Sequence, residues 1–214
     1  MLIGTVLLGL VAAGLFMIWR PLSLVVVPFV CFLFAFFRDP ERAIPDGEGV
    51  MVSPADGMVS DIIEIEQDEL LGGPAVRIGI FLSVFNVHVN RAPCDGKVVD
   101  IRYKKGKFIN ALHHTEASAE NESNTLVLAD AEGAPVAVVR QIVGLIARRI
   151  VCSVDRGESV ERGQRIGMIK FGSRTELYLP KRLEVSVQVK VGQKVRGAAD
   201  VLAIVKNAAP VKTR

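Results

Sequence analysis

The sequence predicts a mainly β body behind a helical, membrane-anchoring N-terminal segment. Three observations carry this. Up to residue 37 the only charged side chain is Arg20. The composition then turns polar at Arg38-Asp39-Pro40-Glu41-Arg42, where proline also stops a helix. From Val50 onward, short β-branched runs alternate with Gly, Pro and Asp, the pattern of strands separated by turns.

The anchor comes first in the chain. Half of the 214 residues are hydrophobic and the mean hydropathy is +0.36, more apolar than a water-soluble globule. Arg20-Pro21 divides the apolar front into residues 2–19 and 22–37. Each piece is near the lower limit of the roughly 17–25 residues a spanning helix needs. Two short spans forming a hairpin is the preferred reading, ahead of one tilted span with an interfacial helix. No basic segment precedes the run and no small-residue cleavage site follows it, unlike a secretory signal. Arg38 and Arg42 are accompanied by Asp39 and Glu41, so flanking charge does not set the orientation. A net charge of +3 suits an anionic membrane surface. No arginine-rich tail or aromatic-studded basic run marks a nucleic-acid partner. The three cysteines, Cys31, Cys94 and Cys152, are odd in number and widely spaced. They exclude a disulfide framework and indicate a reducing compartment.

In the body, residues 76–89, 136–143 and 149–154 are β-branched runs, and Val185, Val187, Val189 and Val191 alternate with polar residues as in a half-buried strand. Residues 110–121 form the one helical stretch. Two internal echoes are present. Pro54-Ala55-Asp56-Gly57-Met58-Val59 is matched by Pro93-Cys94-Asp95-Gly96-Lys97-Val98, each with an Asp-Gly turn ahead of a strand. Val160-Glu161-Arg162-Gly163-Gln164-Arg165-Ile166 is matched by Val189-Lys190-Val191-Gly192-Gln193-Lys194-Val195. Such turns are common in barrel-sandwich folds of the duplicated hybrid type. The second echo reads as recurrent turn chemistry.

The decisive stretch is Gly167-Met168-Ile169-Lys170-Phe171-Gly172-Ser173-Arg174. A Gly-Ser dipeptide alone signals nothing, but this one follows Arg162-Gly163-Gln164-Arg165-Ile166 and precedes Thr175-Glu176-Leu177. That context resembles the processing site of phosphatidylserine decarboxylase proenzymes of the short, archaeal-like type. Further blocks resemble the same family in order: Phe36-Phe37-Arg38-Asp39-Pro40, Ser53-Pro54-Ala55-Asp56-Gly57, Phe85-Asn86-Val87-His88-Val89-Asn90-Arg91-Ala92-Pro93, Ala117-Ser118 with Glu120-Asn121-Glu122, and Ala147-Arg148-Arg149-Ile150-Val151.

The resemblance implies a defined chemistry. Decarboxylation at Cα leaves a carbanion that needs an electron sink. In this family the sink is a covalent pyruvate, a pyruvoyl group that forms a Schiff base with the substrate amine. It would be made from Ser173: Ser173 Oγ attacks the Gly172 carbonyl, the resulting ester eliminates the upstream chain, and dehydroalanine hydrolyses to pyruvoyl. Glycine at 172 leaves its carbonyl open to attack. The chain would thus comprise an anchor, 1–37, and a catalytic domain, 38–214, self-cleaved into a heterodimer of 1–172 and 173–214. The resemblance points to Asp56 and His88 as the groups that serve Ser173. Longer members carry a second histidine where this chain has Arg91, which takes up no proton near neutral pH. The base is therefore His88 or Asp56 acting alone, and Arg91 is left to hold a carboxylate or phosphate. Arg148 and Arg149 suit a lipid phosphodiester, although neighbours in a strand point oppositely and only one would face it.

Lys104, Lys105 and Lys107 read as a solvated loop, and His113 and His114 receive no role. The implied setting is the cell membrane with the catalytic domain on its cytoplasmic face, a phospholipid substrate, no metal, no nucleic acid, and room for a higher oligomer. Two rivals stay in the same lipid or fold class: a decarboxylase of an ether-lipid serine (archaetidylserine), and a membrane-anchored barrel-sandwich adaptor without catalysis. An adaptor of an export pump needs long heptad helices, and a biotinyl or lipoyl carrier needs a Met-Lys-Met or Asp-Lys-Ala triplet; the sequence has neither. A zinc peptidase of this fold needs a His-x-His pair and a third histidine, which His88, His113 and His114 cannot supply.

Overall fold

The computed structural model describes residues 2–18, 20–109, 114–145, 149–170 and 173–206. The chain divides into two units, Met1–Asp39 and Pro40–Arg214. The first consists of helices α1 (Leu2–Ile18) and α2 (Arg20–Phe36), packed on one another. α1 ends at Ile18 and α2 begins at Arg20, beside the Arg20-Pro21 that divides the apolar run in the sequence. Pro21 enters in the first turn of α2, where its missing N–H costs nothing. Each helix has 17 residues, about 25 Å at 1.5 Å per residue, against about 30 Å of bilayer hydrocarbon. Among the described residues no helix is long and apolar enough to cross a membrane. Val6, Leu7, Leu10, Phe16, Leu24 and Phe29 are nevertheless exposed on the pair.

The second unit is mainly β. Its strands are β1 (Val50–Val52), β2 (Gly57–Asp68), β3 (Gly73–Leu82), β4 (Val89–Arg91), β5 (Gly96–Lys104), β6 (Ser123–Ala129), β7 (Pro135–Val143), β8 (Ile150–Cys152), β9 (Ser159–Val160), β10 (Arg165–Ile169), β11 (Ser173–Pro180), β12 (Ser186–Val187), β13 (Lys194–Val195) and β14 (Val201–Ile204), with helix α3 (His114–Glu120) between β5 and β6. An eight-stranded sheet runs β13-β2-β3-β11-β7-β6-β5-β9, and two three-stranded sheets run β1-β14-β12 and β4-β10-β8. One apolar core draws on all three, through residues such as Met51, Ile80, Val98, Leu128, Ile166, Leu177 and Leu202.

The order of the large sheet is symmetric about its middle. β11, β3, β2 and β13 on one side answer to β7, β6, β5 and β9 on the other, and the small sheets correspond in the same way. The first echo is the visible trace of this. β2 and β5 both open at the glycine of Asp-Gly, and both bulge at the same place, Val59/Asp61 and Val98/Asp100. The loops before the edge strands close alike: Gly192 N donates to Val59 O at 2.8 Å and Gly157 N to Val98 O at 2.7 Å. Gly157 is therefore the counterpart of Gly192, and Gly163-Gln164 is turn chemistry, as expected. The shared turn is local: Gln164 accepts Glu161 N and Gln193 accepts Lys190 N through their side-chain oxygens.

Two expectations need correction. Residues 76–89 are not one strand. Ser83–Asn86 forms a turn in which Asn86 Oδ1 accepts both Ser83 N at 2.9 Å and Ser83 Oγ at 2.8 Å, ending β3 and releasing the chain towards β4. The alternating valines near residue 190 yield only the short β12. Val185, Val187 and Val189 do pack on the core, but Val191 is exposed beside the Gly192 turn. The helical stretch appears as α3, shortened to Glu120 at its end.

Candidate active site

Ser173 is the first residue of β11, the strand flanked by β3 and β7, and pairs with Leu82 on one side and Val143 on the other. It is fully buried, and its Oγ has no hydrogen-bond partner among the described residues. A stranded buried hydroxyl costs about 1–3 kcal/mol, so this one calls for a reason beyond packing. Gly172, Arg148 and His113 lie outside the described residues.

The register of the sheet β4-β10-β8 sets Val89 beside Met168 and Ile150 beside Ile169. The start of β4, the end of β10 and the start of β8 therefore meet. Ile169 N donates to His88 O at 3.2 Å, and Lys170 N to Arg149 O at 3.3 Å. His88 and Arg149 thus share the end of the sheet from which the chain continues to Ser173. His88 is fully buried. It does not lie in a strand as the run 76–89 suggests, because the Ser83–Asn86 turn leaves it in the loop just before β4. Its Nδ1 lies 2.9 Å from Asn86 O. A carbonyl only accepts, so the neutral ring carries its proton on Nδ1 and keeps a lone pair on Nε2. Arg149 is exposed.

Asp56 is nearly buried and sits elsewhere in the contact network. Arg42 grips it in a fork, Nη1 to Oδ1 at 2.5 Å and Nη2 to Oδ2 at 2.8 Å, and Gly197 N adds a bond to Oδ1 at 2.8 Å. Its counterpart Asp95 accepts Arg162 N at 2.8 Å in the same manner. The two aspartates share a turn-closing role, and Asp56 adds the arginine. Arg91 donates to Gly163 O at 2.9 Å and Pro40 O at 3.3 Å. Lys104 and Lys107 are tied to Ala119 O and Glu120 beside α3.

Sequence reasoning missed two buried networks around β11. On the Ser173 face, Asn90 Nδ2 donates to Thr175 Oγ1 at 3.0 Å, Gln141 Nε2 to Asn90 Oδ1 at 2.9 Å, and Asn124 Nδ2 to Gln141 Oε1 at 3.0 Å. On the opposite face, Arg174 and Glu176 are fully buried. Arg174 Nε donates to Glu176 Oε1 at 2.9 Å and Nη2 to Asp61 Oδ2 at 2.6 Å. Ser118 and Tyr178 donate to Glu176 at 2.6 and 2.7 Å, and Arg77 reaches Asp61 at 3.2 Å. Burial alone would raise the two carboxyl pKa values, but the charge of Arg174, with that of Arg77, outweighs it and holds both below the ordinary range. Burial, then Glu176, pushes the Tyr178 phenol up to about 12. The available signal was two charges spaced by one residue at the opening of a strand that continues as Leu177-Tyr178-Leu179.

Residues 29–203 match the family described as phosphatidylserine decarboxylase. The chain is 47% identical over 192 residues to a phosphatidylserine decarboxylase proenzyme of Ruegeria pomeroyi, covering 88% of this chain and 86% of that protein. It is 49% identical over 180 residues to the proenzyme of the same description in Carboxydothermus hydrogenoformans, covering 83% of each. With that of Trichlorobacter lovleyi it shares 52% identity over 160 residues, 75% of this chain and 71% of that one.

The charged network gives a measurable outcome. Carboxylates whose folded pKa is lowered add stability above their unfolded value, and lose it as pH falls below about 4. Glu176→Gln leaves Arg174 and Arg77 with Asp61 as the one carboxylate of the cluster, a buried positive charge uncompensated, and is expected to cost about 3–5 kcal/mol at pH 7. The same variant should lose less further stability on acidification than the parent does. Urea unfolding at neutral and acid pH checks both; a variant as stable as the parent at pH 7 contradicts the assignment.

Proposed function

Since the chain belongs to the phosphatidylserine decarboxylase family, and is thus a carboxy-lyase acting on phosphatidylserine, we propose that it acts through a group made from its own Ser173 after cutting itself between Gly172 and Ser173. The observation that carries this is the buried Ser173 Oγ at the head of β11, which has no hydrogen-bond partner among the described residues. A buried hydroxyl to which the described residues offer no partner, one peptide bond from a glycine carbonyl, suits an attacking group. In the proposed step Oγ bonds to the Gly172 carbonyl carbon, the peptide C–N bond breaks, and the nitrogen takes the proton. Elimination across Cα–Cβ then frees the Gly172 carboxylate. Water enters at position 173 and ammonia leaves, giving a pyruvoyl group. Its ketone supplies the electron sink that decarboxylation at Cα requires.

His88 is the favoured base, because it is buried at the sheet end from which the chain continues to Ser173 and Asn86 O orients its ring through Nδ1. Asp56 is the second candidate, although Arg42 and Gly197 engage both of its oxygens. Arg149, exposed at the same sheet end, is read as the group that receives the lipid phosphate. Arg91 instead braces the carbonyls of Gly163 and Pro40. The two matched strand sets are read as the duplicated hybrid form of the barrel-sandwich. The paired helices α1 and α2, with their apolar exterior, are read as the membrane anchor. Three unpaired cysteines are consistent with a reducing, cytoplasmic side. The fragments 1–172 and 173–214 remain together as a heterodimer.

Four outcomes test this. Denaturing mass spectrometry of the purified protein should give fragments 1–172 and 173–214, the second lacking a free α-amine, and Ser173→Ala should stay whole and inactive; an intact yet active wild-type chain sinks the proposal. His88→Ala should slow both fragment formation and carbon dioxide release by about 10²–10⁴-fold, and wild-type rates in both would make His88 a packing residue. Asp56→Asn should leave mostly uncut chain; if Asp95→Asn does the same, the aspartate acts only through its turn. Removing residues 1–37 should leave cutting intact and lower activity on vesicles more than on detergent-dispersed lipid. Equal activity on both, with the truncated protein still sedimenting with vesicles, puts the lipid contact in the β unit.

A further inference from the structure

The duplication provides an internal comparison for the charged cluster behind β11. Through the matched registers, Ser60 corresponds to Val99, Gly79 to Val127 and Glu176 to Val138, while Arg174 falls at the irregular start of β7, Pro135-Val136. The copy without the serine fills this layer with Val99, Val127 and Val138, in one apolar cluster, and its counterpart of Asp61, Asp100, binds the exposed Arg102 instead. The architecture thus closes here on valines. Replacing buried ion pairs with apolar residues is often neutral or stabilising, so stability does not explain why the copy that bears Ser173 carries charges instead.

Each part of the cluster is shaped around Arg174. A Cβ on Gly79 would lie 2.0 Å from Arg174 Nη2 and 2.6 Å from Asp61 Oδ2, so only glycine lets the guanidinium cross β3. The bulge of β2 between Val59 and Asp61 brings Ser60 and Asp61 side by side, with Ser60 Oγ donating to Asp61 Oδ2 at 2.9 Å. Arg174 Nη1 meets Ser60 Oγ at 2.5 Å and Nη2 meets Asp61 Oδ2 at 2.6 Å. The residue next to Ser173 is thereby bound across β3 to β2, while α3 reaches the cluster through Ser118 and Glu176.

We propose that Arg174 is a positioning residue whose network holds position 173 in register once it has become a chain end. This rests on the cut proposed above. A free strand end frays readily, and the group at position 173 must stay fixed for chemistry. Asp61, Ser60 and Ser118 all belong to the upstream fragment, so the tie outlasts the cut. Arg174 acts from the far face of the sheet and touches neither the substrate nor the reacting atoms.

Arg174→Met and the milder Ser60→Ala test this, with fragment yield, steady-state kinetics and phenylhydrazine labelling of the small fragment measured in parallel. Both variants should cut to completion. Arg174→Met should lose kcat by about 10²-fold, the cost of a misplaced reacting group, with KM little changed. Its small fragment should react with phenylhydrazine several-fold faster than that of the wild type, because the chain end is released. Ser60→Ala should move both readouts in the same direction by less, and Arg174→Lys should restore part of each. Unchanged kcat and labelling rate in Arg174→Met and Ser60→Ala overturn the proposal. A folded Arg174→Met chain that stays uncut also overturns it, since the cluster then serves cutting. If Arg174→Met does not fold, Ser60→Ala decides alone. A wild-type chain that is never cut defeats the underlying reading instead, and is seen before any variant is made.

Discussion

The structure depends on β11 being paired along both edges. All eight of its residues are buried, and β3 and β7 bond to it on either side. A strand in that position normally reads as continuous apolar sequence, because each polar group placed there must find a partner inside. β11 instead opens Ser173-Arg174-Thr175-Glu176 before returning to Leu177. Thr175 is answered by Asn90, and Arg174 and Glu176 by each other, Asp61, Arg77, Ser118 and Tyr178. Ser173 alone has no answering group among the described residues. The contrast between its neighbours and its own Oγ marks Ser173 off from the structural residues of the strand more sharply than burial does.

The duplicated architecture sharpens this further. Features that recur in both copies belong to the scaffold: the Asp-Gly turns, the bulges in β2 and β5, and the glycines that close onto Val59 and Val98. Features in one copy only gather near Ser173. By the spacing of the Asp-Gly turns, His88 stands where the other copy has Gly49, and the backbone bonds agree: Ile169 N donates to His88 O as Val205 N donates to Gly49 O. The scaffold thus needs no imidazole at that point. Asp56 falls between the classes, sharing its bond to a backbone N–H with Asp95 but alone in holding Arg42.

Much of this was legible in the chain. The boundary between α1 and α2 beside Arg20-Pro21, strands β7 and β8 and the recurrence of Asp-Gly are local signals, fixed by proline, β-branching and turn propensity. The misses are of another kind. Ending β3 at Ser83 depends on one side chain, Asn86, folding back three residues. The grip of Arg42 on Asp56, and of Arg174 on Asp61, joins residues separated by loops or by most of the domain. A charge pattern names its members but not its pairings, and here the pairing decides whether Arg174 is surface decoration or the most buried cation beside the site.

The strands after Ser173 are woven into more than one sheet. β11 lies between β3 and β7, β13 borders β2, and β14 lies between β1 and β12. A fragment holding these strands has no detachable face. For a chain severed ahead of Ser173, letting go of the downstream piece would mean tearing β11 out of the middle of one sheet and stripping β14 and β12 from β1 in another, which is unfolding rather than dissociation. Dilution then has no purchase on the pair. Its durability is a lifetime, set by the height of the unfolding barrier and shortened by heat, and not an affinity between two subunits.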